Sequence, residues 1–185
     1  MGEIKSSWEV ASEKVAKLGK LSPEEQRTYR ENELRPVARM VADAYLGGYG
    51  PHRAQNDLDA YKGEDREMIR GMALKQLIER IDLHNSSRFG KLRAGILELA
   101  ADKKAEGILH KVEGLINEYL EIDEGNRQEI EKAGRDLLHQ LRISGGAVRK
   151  INYKAKEEWR RKIDAGAVPY QKDIDTLKQE LMQLN

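Results

Sequence analysis

Apolar residues recur along this chain at alternating steps of three and four, the period of one buried stripe on an α-helix. Ile4, Trp8, Ala11, Val15 and Leu18 make the first stripe, opened by Ser6 and Glu9 at capping-box spacing and stopped by Gly19. Ser22-Pro23-Glu24-Glu25 is the sharpest local signal: an N-cap, a proline at the first helical position and the returning glutamate of a capping box. That helix is predicted to reach Leu46, with Val37, Met40, Val41, Ala44 and Tyr45 on its apolar face. A kink or short break is expected near Leu34-Arg35, because the ring of Pro36 opposes the Asn32 carbonyl and supplies it no N–H.

Gly47-Gly48-Tyr49-Gly50-Pro51 reads as a loop and a hinge. Helix is predicted again from Asn56 to Leu83, weakened at Gly63 and Gly71, with Leu74, Leu77, Ile78 and Ile81 as its stripe. His84-Asn85-Ser86-Ser87 breaks it with good capping residues. From Arg88 to Ile122 the pattern predicts one long rod: Leu92, Ile96 and Leu99 open it, and Ile108, Val112, Leu115, Tyr119 and Ile122 close it. Its stripe drifts near Asp102-Lys103, the one place where the rod is expected to break. Asp123-Glu124-Gly125-Asn126 reads as a turn, followed by a helix with Ile130, Ala133, Leu137, Leu138 and Leu141 inward, and by the stop Ser144-Gly145-Gly146. Val148, Ile151, Ala155, Trp159 and Ile163 mark a further helix ended by Gly166 and Pro169. The last helix presents Tyr170, Ile174, Leu177, Leu181 and Leu184.

No run alternates apolar and polar residues over strand length with β-branched enrichment. The pattern therefore predicts an all-α protein of six to eight amphipathic helices, in long hairpins or an elongated bundle with coiled-coil-like seams. Residues 1–46 read as an N-terminal helical hairpin, 47–55 as a Gly-rich loop and 56–185 as a helical bundle, either separate from the first part or one domain with it.

Composition sharpens this picture. Charged residues make up 35% of the 185 residues and aromatics only 5%, with a single Phe; mean hydropathy is −0.75. Such a chain fills narrow seams between paired helices rather than a thick layered core. Cysteine is absent, which removes disulfides and thiolate metal sites. With no apolar run of membrane-spanning length and no signal-peptide core, the expected compartment is the cytoplasm and no membrane partner is expected. Met1-Gly2-Glu3-Ile4-Lys5-Ser6 fits the short myristoylation template, but an ordinary start ahead of a helix accounts for it equally and is preferred.

Candidate chemistry is sparse. His52, His84, His110 and His139 never pair at helical i, i+4 spacing, no Glu-x-x-His pair occurs, and the glycines at 47–50 lack the Lys-Ser/Thr of a phosphate loop. No catalytic residue, metal site, cofactor or small-molecule ligand is therefore expected, and the chain is read as a non-enzyme. Charge is more informative. Lys plus Arg total 33 against 32 Asp plus Glu, yet Glu113, Glu118, Glu121, Asp123, Glu124, Glu129 and Glu131 stand against Arg127 alone. Arg142, Arg149, Lys150, Lys154, Lys156, Arg160, Arg161 and Lys162 stand against Glu157 and Glu158. The two runs either face each other within the fold, or the basic one meets nucleic acid, or it docks on an acidic protein or lipid surface.

These readings point to a helical interaction or assembly module that offers amphipathic faces to a protein partner or to itself. Tyr170, Ile174, Leu177, Leu181 and Leu184 are the expected interface. The alternative is an RNA- or ribosome-associated protein using the basic helix around 147–163, through Arg149, Lys150, Lys154, Arg160 and Arg161.

Two resemblances bear on this. The segment Gly2-Glu3-Ile4-Lys5-Ser6-Ser7-Trp8-Glu9, with Ala11, Glu13-Lys14 and Leu21-Ser22-Pro23-Glu24-Glu25, is similar to the start of small uncharacterised bacterial helical proteins, which implies a bacterial origin. Gly145-Gly146-Ala147-Val148-Arg149-Lys150-Ile151 and the charged helix after it resemble a segment of ribosome recycling factor. In that family an arginine matching Arg149 lies on the ribosome-facing bundle, so the likeness implies an RNA contact. The middle of this chain departs from the family, reading as helix where the family has a small β domain.

Overall fold

The computed structural model describes residues 22–47, 51–143, 151–152 and 156–184. The stripe from Ile4 to Leu18, its Ser6–Glu9 cap, the Gly19 stop and the Met1–Ser6 template lie outside them. The described residues hold six α-helices: α1 (Pro23–Leu46), α2 (Pro51–Asp59), α3 (Gly63–Glu79), α4 (Phe89–Leu99), α5 (Lys104–Gln140) and α6 (Glu157–Gln183). A 3₁₀ segment, Leu83–Arg88, precedes α4. No strand occurs among the described residues, and the fold is all-α with packed helix pairs. The chain divides into two compact units, residues 1–73 and 74–185.

In the first unit the Ser22 box forms as the sequence predicts: the Glu25 N–H donates to Ser22 Oγ at 3.3 Å and the Ser22 N–H donates to Glu25 Oε2 at 2.7 Å. These bonds hold the Glu25 carboxyl below its usual range. α1 runs through Pro36 without ending. Pro36 and Asn32 both face solvent, so water can serve the freed carbonyl while Leu34, Ala38 and Val41 stay buried on the opposite side. Met40, expected on the apolar face, is exposed. α1 packs on α2, around small residues such as Ala38, Ala42 and Ala54. Residues 51–55, read as loop, already belong to α2. The helix expected from Asn56 to Leu83 is interrupted, because Gly63 enters α3 at φ 60°. That left-handed conformation suits glycine and costs other residues about 1–2 kcal/mol. Arg30 on α1 grips Asp65 on α3 with two parallel bonds, Nε to Oδ1 at 2.8 Å and Nη2 to Oδ2, which hold the Asp65 carboxyl below its usual range.

In the second unit Asp82 caps the 3₁₀ segment by accepting from the His84 N–H at 2.9 Å. The rod breaks at 100–103, where Asp102 Oδ1 accepts from the Lys104 N–H at 2.8 Å and starts α5. The turn expected at Asp123–Asn126 is instead helix interior, and α5 continues for 37 residues, about 55 Å. A single Gly125 costs roughly 1 kcal/mol in a helix. Against it stand the side-chain bonds Arg127–Asp123 at 2.6 Å and Gln128–Glu124 at 3.0 Å, and packing against α6. α6 likewise runs through Gly166 and Pro169. Pro169 and Ala165, whose carbonyl it frees, both face solvent. The two helices predicted over 148–184 are therefore one, starting at Glu157; Ile151 and Asn152 are not helical.

Candidate interaction site

α5 and α6 are antiparallel, since Glu129 meets Lys162, Asn126 meets Gly166 and Tyr119 meets Tyr170. The buried line on α5 is Ala105, Leu109, Val112, Ile116 and Tyr119, resuming at Ile130 and Gly134. The predicted lines shared Val112, Tyr119 and Ile130 with it; Ile108 and Leu115 are half-buried and Ile122 is 42% exposed. The facing line on α6 is Ile163, Ala167, Ile174, Leu177 and Leu181, with Tyr170 and Leu184 half-buried. The residues expected as an interface lie on this line. Ile174, Leu177 and Leu181 are at most 9% exposed: the stripe is covered by its own chain, because an antiparallel α5 supplies the matching heptads. These three side chains belong to the core of the hairpin.

The seam changes character halfway. Between Tyr119 and Ile130 the seam positions are Asp123 and Asn126. Asp123 is 15% exposed at its side chain; Arg127 Nε binds its Oδ2 at 2.6 Å, while no described residue bonds its buried Oδ1. Facing them are the small residues Gly166 and Ala167, and a Cβ added to Gly166 would stand 3.4 Å from Asn126 Nδ2. Just below, the Tyr119 ring meets His84 edge-on at 6.1 Å and Tyr170 at 6.0 Å. Burial first, then the Asp123 charge, pushes the Tyr119 phenol up.

Beyond the start of α6, α5 projects on. It ends in a Schellman-type cap: Ile143 N–H donates to Leu138 O and Arg142 N–H to His139 O, both at 2.9 Å, with Arg142 at φ 57°. The stop therefore falls on Arg142, ahead of the glycines at 145–146. Leu141, read as inward, is 61% exposed, and Ile143 is 50% exposed. Further back along α5, between Glu124 and Asp136, an open groove of about 580 Å³ is lined by Glu124, Arg127, Ile130, Glu131, Arg135 and Ile151. The signal for this end in the sequence is that Leu137 and Leu141 prolong the α5 stripe past the point where α6 begins.

The basic residues are dispersed. Arg149, Lys150 and Lys154 lie outside the described residues. Arg160 and Arg161 are exposed at the start of α6. Arg161 pairs with Glu157, and Lys162 crosses to Glu129, whose carboxyl it holds below the usual range through a hydrogen bond and its charge. The acidic and basic runs thus meet at this pair. Trp159 is half-buried under Lys156, 4.9 Å from the ring centre. Among the described residues no group of three or more His, Asp or Glu side chains is arranged to hold a metal ion, and no helix is long and apolar enough to cross a membrane. No family model, curated protein or solved structure matches the chain.

Proposed function

We propose that this chain is a non-enzymatic, cytoplasmic interaction or assembly module, and that the projecting end of α5 is the face it offers to a protein partner or to a second copy. The observation that carries this reading is the pair Leu141 and Ile143, two large apolar side chains half or more exposed at a capped helix end. Neighbouring apolar side chains left in water are each worth roughly 1.5–3 kcal/mol when a partner covers them. The test is sedimentation or light scattering over a range of concentrations, joined to pull-down, for the natural chain and for Leu141→Asp with Ile143→Asp. Association that the double change abolishes while helix content holds supports the reading. Association unaffected by it, or a strict monomer that captures no partner, sinks it.

The second reading is an RNA- or ribosome-associated protein of bacterial origin, using Arg149, Lys150, Lys154, Arg160 and Arg161. Exposure of Arg160 and Arg161 on one helical turn supports it, as does the likeness of 145–151 to ribosome recycling factor. Phosphate contacts would make capture fall steeply with salt. Recovery of RNA that is lost on nuclease treatment and at moderate salt, and weakened by Arg160→Glu with Arg161→Glu, would favour this reading over the first.

A further inference from the structure

We propose that Gly134 and Glu131 on α5 form a seat for one residue, Ile151, and that occupation of this seat is what fastens the α5–α6 connector to α5. Among the described helical glycines, Gly90, Gly107, Gly114 and Gly125 have open space where a Cβ would stand. Gly134 does not: an added Cβ would lie 2.6 Å from Ile151 Cγ2 and 2.9 Å from Cγ1. These are the branch atoms of a stiff β-branched side chain, so a methyl at 134 and the present Ile151 exclude each other. One turn earlier, Glu131 Oε2 accepts the Ile151 N–H at 3.1 Å, while Arg135 Nη2 holds the other carboxylate oxygen at 2.6 Å. Two residues of α5 thus hold Ile151, Gly134 at its side chain and Glu131 at its amide, with Arg135 steadying the Glu131 carboxylate. The Ile151 N–H is committed to a side chain on α5. This hold also bears on the basic run, because Lys150 and Lys154 flank Ile151 in the sequence and the peptide N–H being held is that of the Lys150–Ile151 bond. While the seat is filled, that bond is withheld from anything that must extend it.

The full chain tests this directly. The rate of trypsin cleavage at Lys150–Ile151 and the hydrogen exchange of the Ile151 amide are measured for Gly134→Ala, Ile151→Ala, the double change, and Gly125→Ala as the helical control. Alanine favours an α-helix over glycine, so Gly125→Ala should raise Tm and leave both rates alone. Gly134→Ala should speed both rates by about tenfold or more, as expected on losing an apolar contact and a bond to a charged carboxylate. In the Ile151→Ala background, the Gly134 change should add nothing. Ile151→Ala leaves α5 untouched, so its faster rates report the seat even where a change in α5 disturbs folding. If Gly134→Ala merely stabilises like Gly125→Ala, with both rates unchanged, the seat does not exist.

Discussion

The two halves of the α5–α6 hairpin use one heptad register for different ends. The lower half, Ala105 to Tyr119 against Tyr170 to Leu181, is an apolar seam whose central residues are fully buried. The upper half, Asp123 to Gly134 against Ile163 to Ala167, substitutes a carboxylate, an amide and glycines at the same positions. Stability therefore concentrates below and specificity above. A slip by one heptad would still set apolar side chains against apolar side chains in the lower half, but in the upper half it would move Asn126 away from Gly166. A polar residue in an otherwise apolar seam sets register at a cost in stability.

The largest expected effect lies in the lower half. Ile174→Ala, at a fully buried position, should cost roughly 2–5 kcal/mol by denaturant unfolding, and Ile163→Ala above it less, because the upper half is already interrupted. Equal losses at the two positions would break the contrast. Next comes the lock at the hairpin's lower edge. Lys178, 15% exposed at its side chain, donates to the Glu79 carbonyl at 3.0 Å and the Ile81 carbonyl at 3.1 Å, capping the end of α3 from α6. Lys178→Met should cost about 1–3 kcal/mol, since it leaves carbonyls unserved, and exchange should quicken around residues 79–83.

The polar layer sharpens the contrast in the opposite sense. Asp123→Leu removes a buried oxygen that no described residue bonds and should stabilise by about 1 kcal/mol or more, seen as a higher denaturation midpoint. A loss of stability would mean that the carboxylate is better satisfied than its geometry indicates. The smallest effect is electrostatic. Lys162 depresses the folded pKa of Glu129. A depressed carboxylate contributes stability above its unfolded pKa and loses it as pH falls through the folded one. Lys162→Met should therefore return the Glu129 titration toward the usual carboxylate range by NMR, and flatten the acid limb of the stability curve slightly. Glu129 is exposed, so salt should shrink the difference.

The sequence by itself determined that the chain is helical, where α1 begins, and which residues of the last stripe are apolar together. Steps of three and four, a capping box and the lack of alternating runs are local facts, and local facts are legible. Its misreadings share one cause. Asp123–Asn126, Gly166 and Pro169 carry the propensities of turns, and read alone they are turns. Only the tertiary structure decided that they lie inside helices, because a neighbouring helix buries one face of each and a helix held by packing tolerates a local penalty of about 1 kcal/mol at a glycine and about 3 kcal/mol at a proline. The same holds for partners. Ile174, Leu177 and Leu181 had to be covered by something apolar, and the pattern could not say whether that was a second chain. The register of α5 decided it, covering them from within and leaving Leu141 and Ile143 outside, since α5 runs on past the point where α6 begins.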